Sequence, residues 1–206
     1  MVEQGAGRLI FVDIPQGRLM QADLRKPGPA TEITRIGMSL GAVAPPRGAL
    51  HCWGPRHGVR TVVEGLTLPN GLGWSPDDSV FYLADSMRRV VLAADFDVRT
   101  GALGTLRELI RIGGGLPDGL CVDEDGCLWL AVWGAAEVRR YDPRGRHLAT
   151  VRFPVSQPSS CAFGADGVLY VTSALEGTDA AREPLAGSVF AVEAGVRGVP
   201  AGIFEV

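Results

Sequence analysis

Apolar residues along this chain fall in short runs closed by glycine, proline or acidic residues, and no stretch carries a convincing long helical period. Three segments share one plan. The first reads Asn70-Gly71-Leu72-Gly73-Trp74-Ser75-Pro76-Asp77-Asp78, then Val80-Phe81-Tyr82-Leu83-Ala84. The second reads Asp118-Gly119-Leu120-Cys121-Val122-Asp123-Glu124-Asp125-Gly126, then Leu128-Trp129-Leu130-Ala131-Val132. The third reads Ser159-Ser160-Cys161-Ala162-Phe163-Gly164-Ala165-Asp166-Gly167, then Val168-Leu169-Tyr170-Val171-Thr172. Each is a short apolar strand, an acidic turn and a second strand with an aromatic near its centre. Asp and Gly tolerate the positive φ that a tight hairpin needs. The second strands are apolar at nearly every position, which predicts burial on both faces. A third strand follows each, at Val90–Ala94, Glu137–Tyr141 and Ser188–Val192.

The spacing from Asn70 to Asp118 to Ser159 matches a four-stranded propeller blade of roughly 40–50 residues. Leu9–Asp13 and Gly17–Asp23 read as the second and third strands of a further blade whose innermost strand has no obvious counterpart upstream. Gly41–Ala44 starts like an inner strand and is broken by Pro45-Pro46. Ala49–Trp53 and Val59–Val63 have outer-strand character, and Asp179–Ala186 reads as a loop. The fold class is therefore all-β, a propeller with room for four to five blades in one domain over residues 1–206.

Composition supports this and narrows the function. The 28 glycines and 14 prolines in 206 residues are scattered as turn punctuation. The net charge of −3 and dispersed arginines offer no basic face for nucleic acid. Arg88-Arg89, Arg139-Arg140 and Arg144 read as solvated positions. The start has no basic segment followed by a long apolar run, and no run approaches the ~20 residues that span a bilayer, so no membrane partner is expected and the cytoplasm is the expected location. Cys52, Cys121, Cys127 and Cys161 lack zinc-ligand spacing and read as reduced thiols, with Cys121 and Cys161 as small core residues.

Asn70 and Asp118 hold equivalent places, each just before the apolar part of an inner strand. In a propeller such positions surround the central channel and can converge. A buried carboxylate needs a partner, for which a cation is a natural candidate. The competing reading of both is an ordinary turn residue. Ser159 is the third equivalent and a weaker candidate, and Asp85 reads as structural. Trp74, Trp129, Tyr82 and Tyr170 fit blade interfaces. Gly113-Gly114-Gly115 lacks the Lys and Ser/Thr of a phosphate loop. His51, His57 and His147 have no nucleophile motif nearby, so no hydrolase triad is supported.

Several strings, in order, resemble the SMP-30/gluconolactonase/regucalcin family. They are Phe11-Val12-Asp13-Ile14-Pro15, Asn70–Asp77, Ala84-Asp85-Ser86, Leu116–Asp123, Leu128–Ala131, Val138–Pro143, Gln157–Gly164 and Leu169–Ser173. The resemblance covers almost the whole chain and is close from residue 60 onward. It implies the six-bladed type of propeller with one divalent cation, calcium first, with zinc or manganese as alternatives. It also implies hydrolysis of sugar lactones, with Asn70 and Asp118 as metal ligands and Asp118 as the catalytic general base. Two departures stand against it. The family's first ligand, a Glu in a Glu-Gly-Pro-x-Trp string, has no match, since Glu3 has neither that context nor that distance. The family's Asn-Asp pair falls in a stretch this chain skips near residues 44–48. The alternative is a propeller that has lost the site and serves as a binding module. Open blade edges would also favour self-association.

Overall fold

The computed structural model describes residues 2–3, 8–13, 18–23, 31–35, 48–54 and 58–200, with side chains described over 48–52 and 60–200. The described residues are all-β, in five antiparallel sheets.

The first sheet holds β1 (Val2–Glu3), β2 (Arg8–Asp13), β3 (Arg18–Asp23) and β4 (Thr31–Arg35) in that order. The expected second and third strands are β2 and β3. The place that sequence left empty is filled by β1, which pairs Val2 with Leu9 and Glu3 with Arg8. Two residues are too short to leave a periodic signal. Gly41–Pro46 lies outside the described residues. The segments of outer-strand character form a hairpin, β5 (Gly48–Gly54) with β6 (Gly58–Leu66).

The three repeats are three hairpins: β7 (Pro69–Trp74) with β8 (Val80–Asp85), β12 (Leu116–Val122) with β13 (Leu128–Trp133), and β16 (Pro158–Phe163) with β17 (Val168–Ser173). Their turns are built alike. Asp78, Gly126 and Gly167 take positive φ at 56°, 79° and 79°. Their amides bond back to the carbonyls of Ser75, Asp123 and Gly164 at 2.9, 2.9 and 3.1 Å. The third strands are β9 (Val90–Asp97), β14 (Glu137–Tyr141) and β18 (Val189–Glu193). β9 carries two short partners, β10 (Ala102–Leu103) and β11 (Arg107–Arg111), and β15 (His147–Arg152) completes the β12–β15 sheet. Residues 179–186 form turns, as expected of that loop.

The core lies between sheets. Tyr82, Val91 and Ile110 of one sheet pack on Leu120, Leu130 and Val132 of the next. Trp129, Ala131 and Val138 of that sheet pack in turn on Cys161, Leu169 and Val171. This sandwiching explains why β8 and β13 are apolar at nearly every position. β17 departs from that expectation. Leu169 and Val171 are fully buried while Val168, Tyr170 and Thr172 are half-buried, because one face of β17 meets this core.

Two of the aromatic assignments need correction. Tyr82 and Trp129 are interface residues, but Trp74 is exposed and rests edge-on against Phe81 and Phe96 of its own sheet, at 5.2 and 5.9 Å. Tyr170 is half-buried and donates its hydroxyl to Asp166 at 3.1 Å. The arginine reading also changes. Arg139 and Arg140 are ion-paired and half-buried, Arg139 to Glu137 at 2.7 Å and Arg140 to the fully buried Asp123 at 2.7 Å.

Candidate functional site

Each inner strand is irregular at the same place. On β7 the pairing with β8 shifts between Pro69 and Leu72, on β12 between Pro117 and Leu120, and on β16 between Pro158 and Ser160. Proline lacks the amide that would continue the ladder, so pairing is readily broken just after it. The displaced residues are Asn70-Gly71, Asp118-Gly119 and Ser159. A bulge turns side chains away from the regular alternation, which is why bulges recur beside binding sites. Sequence placed these residues in equivalent positions. The bulge is what aims them.

Glycine brings the bulges together. A Cβ on Gly71 would stand 2.7 Å from the Gly119 carbonyl carbon, and one on Gly119 would stand 2.6 Å from the Ser160 Cα. β7, β12 and β16 thus meet backbone to backbone. Asn70 and Asp118, far apart in sequence, come close enough for the Asn70 side chain to favour the ionised Asp118 carboxylate.

The polarity of that contact follows from its neighbours. The buried Ser86 hydroxyl donates to the Pro117 carbonyl at 2.6 Å and accepts Asn70 Nδ2 at 3.3 Å. Asn70 also favours the ionised form of Asp118. With Nδ2 turned toward Ser86, Oδ1 is the amide's acceptor. In the sequence Ser86 is only the end of the Ala84-Asp85-Ser86 string. Nothing in a lone serine announces that it orients a residue sixteen positions away.

Asp118 is half-buried. Burial raises its pKa from 3.8 to about 7, against the opposing bonds from Asn70 and the Gly119 backbone amide. No positive charge among the described residues offsets that burial. Asp123, one strand end away, makes the contrast. It is fully buried but accepts from the Asp125 and Cys127 amides, Trp129 Nε1 and Arg140 Nε at 3.1, 2.8, 2.9 and 2.8 Å. Asp123 is thus satisfied by the fold itself, whereas Asp118 is not.

The remaining candidates bond within the fold. Asp85 is fully buried and accepts from the Thr67 and Leu68 amides at 2.9 Å each and from the Thr67 hydroxyl, tying the lead-in of β7 to the end of β8. Ser159 pairs with the Thr172 hydroxyl at 2.9 Å. Gln157, just before β16, was missed. It is buried, and its Oε1 has no hydrogen-bond partner among the described residues.

The cation that the resemblance implies can be tested against these groups. Asn70 Oδ1 and the Asp118 carboxylate are hard oxygen donors, and Asp118 lacks a compensating charge, so both fit such an ion. They fit as two donors out of the ~6–8 oxygens that calcium takes. Among the described residues no group of three or more His, Cys, Asp or Glu is gathered for a metal. Nor is any described helix long and apolar enough to cross a membrane.

Comparison with known proteins places the chain in a family. The family pattern described as SMP-30/Gluconolactonase/LRE-like region matches residues 30–175. Regucalcin of Danio rerio is 41% identical over 161 residues, 74% of this chain and 55% of that protein. Human regucalcin is 37% identical over 162 residues, 74% of this chain and 54% of that protein. The chain thus spans about half the length of the curated relatives it matches. Among solved structures, the calcium-binding protein regucalcin of Agrobacterium tumefaciens superposes with a TM-score of 0.76 at 22% identity, over 96% of this chain and 90% of that one. A gluconolactonase of Xanthomonas campestris superposes with a TM-score of 0.62 at 23% identity, over 82% of this chain and 67% of that one. The two superpositions give the fold, that of the regucalcin and gluconolactonase propellers. The chain belongs to the SMP-30/gluconolactonase/LRE-like family.

Proposed function

We propose that this chain is a divalent-metal-dependent hydrolase of sugar lactones, built as one propeller of four to five blades over residues 1–206. The observation that carries the reading is the Asn70–Asp118 pair, with a half-buried carboxyl poised at about 7 and no charge to offset it. The gluconolactonase relative supports the substrate class, and the calcium-binding relative supports calcium ahead of zinc or manganese.

Asn70 Oδ1 and Asp118 would hold the ion, and Ser86 would hold Asn70. When bound, such an ion polarises the lactone carbonyl and favours ionised water. Ionised Asp118 takes a proton from the attacking water. A bound cation would lower the Asp118 pKa and keep its carboxylate ionised. The test is lactone opening followed by pH-stat with calcium, zinc or manganese added. A metal-dependent rate is expected, falling by about a hundredfold or more in Asp118→Asn. No metal-dependent rate above background with any of the three ions would overturn the reading.

The lack of the family's internal Asn-Asp pair favours a second reading, a non-catalytic propeller that serves as a binding module. Calorimetric titration separates the two, because specific, tight cation binding argues against the second.

A further inference from the structure

Two of the four cysteines meet across a blade boundary. Cys121 lies on β12 and Cys161 on β16, the inner strands of neighbouring sheets. Their sulfurs are 3.7 Å apart, with the Cys121 thiol directed at Cys161 and the Cys161 thiol directed at the Trp129 carbonyl at 3.2 Å. The strands around them are already at backbone contact, as the Gly119–Ser160 approach shows. A disulfide needs close Cβ atoms and facing side chains, and here both chains are held in place by the core they share. Cys127 is buried elsewhere, on the far side of the Asp123 turn.

The geometry points to Cys121 and Cys161 as a site of reversible oxidation, closing to a disulfide that joins the blade of Asp118 to its neighbour. A hydroperoxide is the oxidant class that balances the step. One thiol reduces hydrogen peroxide to water and becomes a sulfenic acid. The second thiol attacks that sulfur, the S–S bond forms, the S–O bond breaks, and a second water leaves with the thiol proton. The neighbouring thiol is at hand from the start, so closure competes well against further oxidation. The hydrogen bond to Cys161 and burial hold the Cys121 thiol well above its usual pKa. Since the thiolate is the reactive form, the rate rises with pH and is slow at neutrality. Either sulfur can be oxidised first, since the other stands beside it to resolve the sulfenic acid.

The test treats the intact protein with hydrogen peroxide, alkylates free thiols under denaturing conditions, and maps peptides without reduction. Cleavage at acidic residues is needed, because Asp123–Asp125 then separates Cys121 from Cys127. The expected result is loss of two thiols, one linked peptide pair containing Cys121 and Cys161, and full recovery with dithiothreitol. Cys127→Ser keeps the link and Cys121→Ser loses it. Should Cys121→Ser fail to fold, the wild-type map alone decides. Linkage through Cys52 or Cys127, sulfinic acid without cross-link, or four unchanged thiols would each overturn the assignment.

Discussion

Asp118 shows how one residue's surroundings set both its chemistry and its contribution to stability. The folded protein keeps the Asp118 proton up to about pH 7, while the unfolded chain releases it near 3.8. A raised carboxyl favours the folded state most fully below the unfolded value, and that advantage disappears as pH rises through about 7. At about 1.4 kcal/mol per pKa unit, the loss is a few kcal/mol at most. Asp118→Asn is therefore expected to unfold at higher temperature than the wild type in metal-free buffer above neutrality, and at a similar temperature near pH 4. Thermal melts at the two pH values check this. Equal melting curves above neutrality would mean that Asp118 is not desolvated. Ser86→Ala removes the hydroxyl that serves both Pro117 and Asn70. It takes one bond from the buried Pro117 carbonyl, for an expected loss of about 1 kcal/mol. It also frees the Asn70 amide to turn over, so weaker cation binding is expected in calorimetric titration, with Ser86→Thr recovering part of it.

The inner strands are the elements on which the site depends. Proline ends the ladder, a polar residue is displaced, and glycine lets the next strand approach. Gly119→Ala would drive a methyl into Ser160. The expected loss is about 1–3 kcal/mol from overpacking, seen as an earlier urea midpoint. Sequence showed most of this element plan. The three hairpins, their acidic turns and the apolar second strands were legible because each repeats a local pattern. Trp74 was not, since an aromatic in a strand reads the same whether it faces a neighbouring sheet or solvent. Arg140 was misjudged for a related reason. Its partner Asp123 is seventeen residues away and becomes a neighbour only through the pairing of β13 with β14.

On the scale of the whole molecule, the fold and the family were readable because the repeat recurs over much of the chain. The Asn70–Asp118 pair was readable for the same reason, as two copies of one position. Contacts made between blades were not. Ser86 acts through a contact that closes between sheets, Gln157 stands where its equivalents are Leu68 and Leu116, and the thiols of Cys121 and Cys161 belong to different repeats. Each depends on how blades meet, and sequence periodicity describes only what lies within a blade. The glycine contacts carry a consequence for any ring this chain makes. At Gly71 and Gly119 the next inner strand leaves no room even for a methyl group, so the circumference there has no slack to give up. A ring with fewer blades than its relatives must spread each wedge at the rim, where β10, β11 and β15 lie, and leave the hub at its present spacing.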